Sequence, residues 1–376
     1  MTEPRRLTRR ALLGASAATI ASALVAAPGQ ASPRPTIWRE VNVPVSSLAL
    51  ETGDPLPSWR DGTRKQVIRD FVAAATYPQT KAFVPEADRI ATFDLDGTLW
   101  IEQPLYVQST FTVERIRALA ADHPEWATMS PFAKVLTGEP SEITALTNAE
   151  WQTLMGASHA GLTIERYVAA VAAWLASRKH PRFDRLYTEL VYQPMLEVMA
   201  YLCANAFRTY IVSGSGQEFI RAFADPVLGI PPEQVVGTSF QTTYAVGSNG
   251  SPAIVIDAPV LADDNGAGKP RNINLVIGRR PAAAFGNSGG DQQMLEWTGA
   301  GSRAALMMLV HHDDGEREYA YGPAGGLPDS HIGTFSDTLL GEANASGWSV
   351  ISMKSDWTQV FPDSAGSEHR CHDRTG

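Results

Sequence analysis

Residues 90–99 have the sequence IATFDLDGTL, a short apolar run followed by two acids, a glycine and a threonine. The first four residues favour a strand that is buried on both faces. In an extended chain, residues i and i+2 point to the same side, so Asp94 and Asp96 converge while Leu95 turns into the core. Gly97 lets the backbone turn sharply and approach a ligand closely.

This pair of acids predicts a metal site. Two close carboxylates repel each other unless a cation or a shared proton lies between them, and divalent cations prefer such oxygen ligands. The carboxyl end of a strand in a parallel sheet is also where such folds bind ligands. A calcium loop of the EF-hand type is excluded, because its further ligands and its final glutamate are missing.

Similar short apolar runs recur along the chain and alternate with helical patterns. The predicted strands are 210–212, 235–236, 282–285, 304–310 and 348–353, and a β-hairpin is predicted over 241–257. Strand–helix alternation predicts an α/β fold with a parallel sheet and helices on both faces.

The predicted domain organisation is a core with one large insert. Residues 100–194, about a hundred residues, have a mainly helical pattern and favour a cap domain, because so long a crossover is rarely a loop. The α/β core is assigned to 58–99 and 195–360. Residues 32–57 are interpreted as a Pro-rich linker and 361–376 as a polar tail.

Residues 1–31 have the layout of an export signal. Arginine pairs, the second at Arg9 and Arg10, precede an Ala-, Gly- and Ser-rich run over 11–27, and small residues follow near Ala31. This predicts a Tat signal peptide, recognition by the Tat export machinery and a periplasmic or extracellular protein. A membrane anchor is disfavoured, because the run is weakly apolar and only about 17 residues long.

Charge and cysteine content narrow the function classes. The 376 residues carry 31 Lys and Arg against 40 Asp and Glu, and removal of the signal leaves a formal charge of -12. This acidic balance argues against a nucleic-acid partner. Two cysteines, Cys203 and Cys371, exclude a disulfide scaffold and a zinc module, and a bridge between them stays open.

Three further motifs have little weight when each is taken alone. Ser213 and Gly214 end a predicted strand and could hold an anionic oxygen, although such a pair is usually a turn. Lys269 alone would be assigned to the surface. Residues 285–291, FGNSGGD, form a glycine-rich turn after a strand, and the acid that ends this turn would suit a metal site shared with Asp94.

In this order the four motifs resemble those of the haloacid dehalogenase (HAD) superfamily. Its pattern is Asp-x-Asp-Gly-Thr, a strand ending in Ser or Thr, a Lys, and a Gly-(Asp/Asn)-x-x-x-Asp turn, which this chain matches over 93–291. The resemblance implies a Rossmann-like core, with the insert at the position of a C1 cap. The motifs are similar to those of phosphoserine phosphatases and exported acid phosphatases.

The resemblance also implies roles in phosphoryl transfer. Asp94 would be the nucleophile that forms an aspartyl-phosphate, and Asp96 would be the general acid and then the general base. Ser213 and the Gly214 amide would hold the phosphoryl group, and Lys269 would neutralise its charge.

The implied cofactor is Mg²⁺, bound by Asp94, the Asp96 backbone carbonyl and Asp291. Asn287 departs from the Asp that is common at its position, and we expect it to hold a metal-bound water. Glu102 lies near where phosphoserine phosphatases place a glutamate that contacts the substrate amine. The offset is imperfect, so a polar residue at the connection into the cap is the favoured alternative.

The predicted function is therefore a Mg²⁺-dependent phosphomonoesterase that acts on a small phosphorylated metabolite, of phosphoserine type or of broader range. A dehalogenase is disfavoured because those relatives lack the equivalent of Asp96. A phosphotransferase or mutase, and a non-catalytic exported binding protein, remain as alternatives. Residues 311–314 are interpreted as a polar strand end, and 319–322 and Trp151 as packing residues.

Overall fold

The computed structural model describes residues 53–138, 140–301 and 303–363. The predicted signal peptide, most of the linker, most of the tail and Cys371 lie outside these residues, and the inferences drawn on them stay predictions.

Strands and helices alternate along most of the core. The strands are β1 (Ile90–Phe93), β2 (Arg208–Gly216), β3 (Val235–Val246), β4 (Pro252–Ala262), β5 (Ala283–Gly286), β6 (Leu306–His311) and β7 (Ser349–Ser352). The α-helices are α1 (Thr63–Thr76), α2 (Val107–Leu119), α3 (Phe132–Thr137), α4 (Pro140–Thr144), α5 (Asn148–His159), α6 (Ile164–Leu175), α7 (Gln193–Ala204), α8 (Gln217–Arg221), α9 (Ala224–Leu228), α10 (Gly268–Val276), α11 (Gln292–Gly299), α12 (Asp337–Ala345) and α13 (Met353–Asp356). In the part of the chain that the structure describes, no helix is both long and apolar enough to cross a membrane.

One sheet carries the fold, with the strand order β4-β3-β2-β1-β5-β6-β7. Neighbouring strands are parallel except for β3 and β4, which form an antiparallel hairpin. The chain runs outward from β1 through β2 and β3 and then returns to β5 on the other side. The order therefore reverses beside β1, which is where open α/β sheets bind ligands. The predicted α/β class and parallel sheet are confirmed.

Helices cover both faces of the sheet because the central strands are apolar on both sides. Phe93 and Phe285 point to one face, where their rings stack at 4.4 Å, and Ile68 of α1 belongs to the same core. Ile90 points to the other face and packs in a second core with Leu295 of α11. Full burial of each large apolar side chain stabilises the fold by about 1.5–3 kcal/mol.

The insert between β1 and β2 is helical. In the described part of 100–194 the structure has helices α2 to α6, the first two residues of α7, and no strand beyond isolated bridges. These helices have an apolar cluster of their own, which includes Trp126, Phe132 and Leu154. The division of the chain into a core and a separate cap domain stays a prediction.

The two connections of the insert run side by side. The Ile101 amide donates to the Leu190 carbonyl at 3.1 Å, and the Tyr192 amide donates to the Leu99 carbonyl at 2.8 Å. The insert therefore leaves and rejoins the core at one place, directly after the paired acids.

The predicted hairpin is present and longer than its turn pattern indicated. Its turn includes Gly250, whose φ of 78° favours glycine. Helix α5 packs closely on β4 at Gly156. A Cβ at this position would lie only 2.3 Å from the Ala258 carbonyl oxygen, so the contact requires glycine. The hairpin thus supports the insert as well as extending the sheet.

At both ends of the described chain, residues beyond the predicted core boundaries of 58 and 360 also pack on the core. Leu56, at the end of the predicted linker, is fully buried, and the Ser58 amide donates to Glu197 Oε2 at 2.9 Å. Phe361, at the start of the predicted tail, contacts the rings of Phe183 and Tyr192. Isolated apolar residues in polar stretches give no periodic signal, which is why the sequence boundaries missed them.

Candidate active site

Adjacent strand ends bring the four motifs together. Asp94 follows β1 directly, Ser213 lies near the end of β2, and Asp291 follows β5 after one short turn. Because β1 lies between β2 and β5 and all three are parallel, these side chains meet at one edge of the sheet. Lys269, the second residue of α10, reaches the same point.

Lys269 joins two of the acids. Its Nζ lies 2.5 Å from Asp94 Oδ1 and 2.6 Å from Asp291 Oδ1, and it donates to the Val212 carbonyl at 2.8 Å. These contacts use all three ammonium protons. The side chain is only 1% exposed, so its position is fixed by these partners.

Asp94, Asp291 and Lys269 are close enough for their charges to shift the pKa values of Asp94 and Lys269. Burial raises the pKa of Asp94 well above its usual range, repulsion from Asp291 raises it further, and Lys269 opposes both effects. Burial alone would lower the pKa of Lys269, but Asp291 and Asp94 outweigh it and raise the pKa. A single ammonium thus faces several buried carboxylates, which is an arrangement that a further cation would stabilise.

Asp96 is held in a different way from Asp94. It accepts a hydrogen bond from Trp100 Nε1 at 2.8 Å and another from Ser215 Oγ at 2.6 Å. Burial raises its pKa, although these hydrogen bonds oppose the shift. A raised pKa favours retention of a proton, which suits a group that protonates a leaving oxygen.

A small cavity opens onto these groups. Its volume is about 120 Å³, and its wall includes Asp94, Asp96, Ser213, Gly214 and Asp291. The space is far smaller than the roughly 300–1,000 Å³ of typical pockets for drug-sized ligands. It would suit a small ester.

Asp291 is fixed by the turn that precedes it. Its Oδ2 accepts hydrogen bonds from the amides of Asn287 and Ser288 at 2.9 and 3.0 Å. A Cβ at Gly286 would lie 2.4 Å from Asp291 Cβ, so only glycine allows this close approach. The glycine-rich turn therefore directs Asp291 toward Lys269 and Asp94.

Glu102 is also part of the site. It is buried, lines the same cavity, and its Oε1 accepts hydrogen bonds from Asn287 Nδ2 at 2.6 Å and from Tyr321 Oη at 2.7 Å. A Cβ at Gly97 or Gly333 would lie 2.4 or 1.6 Å from this oxygen. Burial raises the pKa of Glu102 well above its usual range, and the nearby acids add to the shift. Glu102 therefore lies beside the paired acids, and its contact with a substrate amine stays a prediction.

Some residues of the site were missed from the sequence. Trp100 and Ser215 hold Asp96, and Tyr321 holds Glu102, although 319–322 were interpreted as packing residues. Trp151, also assigned to packing, lines the cavity. Ser215 could have been found as the second serine near the end of β2, whereas Tyr321 lies in a long segment with no local pattern.

Residues 311–314 do not form a metal cluster. His311 ends β6, and His312 is buried with Nε2 2.8 Å from the Gly97 carbonyl and Nδ1 3.1 Å from Glu318 Oε2. Asp313 instead accepts a hydrogen bond from Ser352. His312 therefore steadies the turn after the paired acids.

The donor set at the sheet edge fits a hard divalent cation. Over the described ranges, no cluster of three or more His, Cys, Asp or Glu side chains is placed to hold a metal ion. The sheet edge instead brings the carboxylates of Asp94 and Asp291 together, each within 2.6 Å of Lys269 Nζ. Oxygen donors of this kind, beside an excess of negative charge, are those that Mg²⁺ prefers.

The chain belongs to the haloacid dehalogenase-like hydrolase family, which matches residues 91–296, more than half of its length. The match contains all four motifs and the whole insert. No curated protein matches the sequence.

Several solved structures are similar to this chain at low identity. A protein of unknown function from Anaerococcus prevotii is 15% identical, with a TM-score of 0.44, over 67% of this chain and 86% of that one. A protein of unknown function from Bordetella pertussis is 16% identical, with a TM-score of 0.43, over 70% of this chain and 97% of that one. A phosphoserine phosphohydrolase-like protein from Francisella tularensis is 18% identical, with a TM-score of 0.35, over 59% of this chain and 87% of that one.

Proposed function

We propose that the protein is a Mg²⁺-dependent phosphomonoesterase that works through an aspartyl-phosphate on Asp94. The observation that carries the proposal is the contact of Lys269 Nζ with both Asp94 and Asp291, at 2.5 and 2.6 Å, beside Asp96. The proposed nucleophile, the proposed proton donor and a positive charge that could face the phosphoryl group therefore lie in one buried place.

The proposed metal ligands are Asp94, Asp291 and the backbone carbonyl of Asp96, with Asn287 beside them. When bound, Mg²⁺ would offset the carboxylates and stabilise negative charge on the phosphoryl oxygens. The side-chain nitrogen of Asn287 already donates to Glu102. The part of Asn287 that remains for a metal-bound water is its carbonyl oxygen, which lies 3.4 Å from Thr98 Oγ1.

The first step is attack by an Asp94 carboxylate oxygen on phosphorus. The bond between phosphorus and the ester oxygen breaks, and Asp96 gives its proton to the leaving alcohol. In the second step Asp96 takes a proton from water, the water oxygen attacks the phosphoryl group, and Asp94 is released with inorganic phosphate. The raised pKa of Asp96 supports both transfers.

Positioning of the phosphoryl group is assigned to groups near the end of β2. Ser213 Oγ and the Gly214 amide would bind its oxygens, and Lys269 would offset its charge while holding Asp94 in place. Thr238 Oγ1 donates to the Gly214 carbonyl at 2.8 Å, which helps to fix this end of β2.

The proposed substrate is a small phosphorylated metabolite, because the cavity is small. Glu102 is the proposed contact for an amine of the substrate, as in a phosphoserine-like ester. Its Oε1 already accepts two hydrogen bonds, so an amine would approach the other carboxylate oxygen.

Hydrolysis of p-nitrophenyl phosphate with Mg²⁺, and its loss in EDTA, tests the proposal directly. Asp291→Ala should raise the Mg²⁺ concentration needed for activity. A dehalogenase would instead release halide from a 2-haloacid without metal, and a mutase or phosphotransferase would move the phosphoryl group to another alcohol. A binding protein would bind phosphate esters without turnover.

We also propose that the protein works outside the cytoplasm after Tat export. The support is the pattern of residues 1–31, which includes Arg9 and Arg10. Neither a nucleic-acid partner nor a stable membrane anchor belongs to this proposal.

A further inference from the structure

A second cavity lies between the insert and the β3–β4 hairpin. Its volume is about 310 Å³, and its wall includes His159 at the end of α5, Tyr167 of α6, Phe219 of α8, and Phe240 and Ile256 of the hairpin. None of the groups assigned above to phosphoryl transfer is in this wall. Gln108 lines both cavities and lies between them, with Oε1 accepting from the Gly216 amide at 2.6 Å.

His159 faces this cavity with its polar atoms unused. It is 3% exposed, and within the described part of the chain neither ring nitrogen has a hydrogen-bond partner. Its ring makes edge contacts with Tyr167 and Phe240, at centroid distances of 5.1 and 4.3 Å. Buried polar groups are usually paired, so an unpaired imidazole needs an explanation.

The chemistry of imidazole specifies the missing partner. Burial lowers the pKa of His159 to about 4, and Arg115 adds to the shift, so the ring is neutral at ordinary pH. A neutral imidazole has one donor and one acceptor nitrogen. An aromatic face can receive the N–H, but it cannot donate to the other nitrogen. The acceptor nitrogen needs an O–H or N–H group.

The remaining wall indicates a ligand without charge. The acid Glu218 is already paired with Arg221 at 2.7 Å, and the other walls are apolar or neutral. Two apolar side chains of the wall stay exposed, Ile254 at 37% and Leu261 at 68%. A ligand in the cavity would cover apolar surface that is otherwise left in water.

We propose that this cavity binds an uncharged, mainly apolar small molecule whose hydroxyl or amide N–H donates to His159. The volume is adequate for a substituted ring, since a void of roughly 150 Å³ already accepts benzene and ligand pockets begin near 300 Å³. The site is distinct from the proposed phosphatase site, and its occupation does not require turnover.

Calorimetric titration of the full chain with 4-methylphenol and with 4-methylanisole tests the proposal. The two probes have similar rings, but only the phenol can donate a hydrogen bond. We expect saturable binding of 4-methylphenol and about tenfold weaker binding of 4-methylanisole, the effect of one hydrogen bond. In His159→Phe the preference should disappear. His331→Phe, a change at an exposed histidine outside this cavity, should keep it.

Two results would overturn the proposal: no saturable binding of 4-methylphenol by the wild type, or an unchanged preference in His159→Phe. If His159→Phe fails to fold, the wild type still decides by nuclear magnetic resonance. The imidazole nitrogen signals of His159 should shift with 4-methylphenol and not with 4-methylanisole. Equal shifts, or none, would contradict the role of His159.

Discussion

The side-chain nitrogen of Asn287 donates to Glu102 Oε1 at 2.6 Å. This contact joins the turn after β5, which carries a proposed metal ligand, to the connection into the insert. Tyr321 donates to the same oxygen from a third part of the chain. Glu102 is thus a point where the sheet edge, the insert and the segment after β6 meet.

This contact changes what we expect from substitutions at position 287. From the sequence, Asn287→Asp would add a charge beside Mg²⁺ and tighten its binding. In the structure the added carboxylate would replace a donor to Glu102, so the two acids would repel each other or have to share one proton. We expect Asn287→Asp to lose activity on the order of 10–100-fold, as for other groups that support metal ligands.

The double variant Asn287→Asp with Glu102→Gln tests the cause of that loss. The glutamine amide can donate to the new carboxylate, so part of the lost activity should return. The measurement is a Mg²⁺ titration of p-nitrophenyl phosphate hydrolysis for the single and double variants. Tighter Mg²⁺ binding by Asn287→Asp alone would show instead that position 287 faces the metal.

Gly333 offers a second test of Glu102, with a matched control. Gly333 and Gly326 both have positive φ, 64° and 79°, so alanine at either costs about 1–2 kcal/mol of folding free energy. Only at Gly333 would the new Cβ meet Glu102, whereas nothing lies within 4 Å of a Cβ at Gly326.

We therefore expect Gly333→Ala to lose far more activity than Gly326→Ala, on the order of 10²-fold, the effect of displacing a positioned group. Urea unfolding and kcat/KM for p-nitrophenyl phosphate would be measured for both variants. If Gly333→Ala and Gly326→Ala have equal activities and similar stabilities, the position of Glu102 does not matter for activity.

Because Asp264 is buried, we expect the stability of the protein to depend on pH. It is fully buried, Oδ2 has no hydrogen-bond partner in the described residues, and burial raises its pKa from 3.8 to about 7. Between about pH 4 and pH 7 the unfolded chain loses this proton while the folded chain keeps it. Stability from this group is therefore present at low pH and lost as pH rises, by at most about 1.4 kcal/mol per pH unit.

Asp264→Asn removes this ionisation at nearly the same volume. The free energy of unfolding of the variant, relative to the wild type, should rise from pH 5 to pH 8. Urea unfolding at both pH values measures it. If the difference in free energy of unfolding between variant and wild type is the same at both pH values, the pKa of Asp264 is not raised.

Export can be tested apart from catalysis. Arg9→Lys with Arg10→Lys should leave the precursor in the cytoplasm, because the Tat route recognises the arginine pair. Arg279→Lys with Arg280→Lys changes a similar pair in the mature chain and should be exported normally. Fractionation and immunoblotting would measure both. Normal export of the first variant would contradict the Tat assignment.

The central part of the fold could be predicted because its signals are local. The buried run before Asp94, the glycine turn before Asp291 and the hairpin turn each lie within a few residues of sequence. Lys269 could be assigned only through the order of the four motifs, since a lysine at a helix start is usually exposed. Its burial depends on Asp94 and Asp291, which are distant in the sequence.

The residues that were missed depend on contacts between distant segments. Tyr321 and Gly333 reach Glu102 from the segment after β6, which has no periodic pattern. The cavity at His159 exists only because the insert packs on the hairpin. Leu56 is a single apolar residue in a Pro-rich stretch, and its burial is decided by the core it packs against.

Substitution of Asp94 and substitution of Asp96 should impair catalysis in different ways. Asp94→Asn should abolish turnover, because an amide cannot attack phosphorus. Asp96→Asn should keep metal binding, since only its backbone carbonyl is a proposed ligand, and should lose roughly 10²–10⁴-fold in rate. For p-nitrophenyl phosphate, whose leaving group needs little protonation, formation of the aspartyl-phosphate should be nearly unaffected, and the loss should lie in its hydrolysis.

The most direct test of the central claim is mass spectrometry of Asp96→Asn, quenched in acid after reaction with p-nitrophenyl phosphate and Mg²⁺. Slow hydrolysis of the intermediate in this variant should leave one phosphoryl group on the chain, located on Asp94. The Asp94→Asn protein, treated in the same way, should carry none and show no turnover. Turnover by Asp94→Asn, or a phosphoryl group on any other residue, would contradict the account.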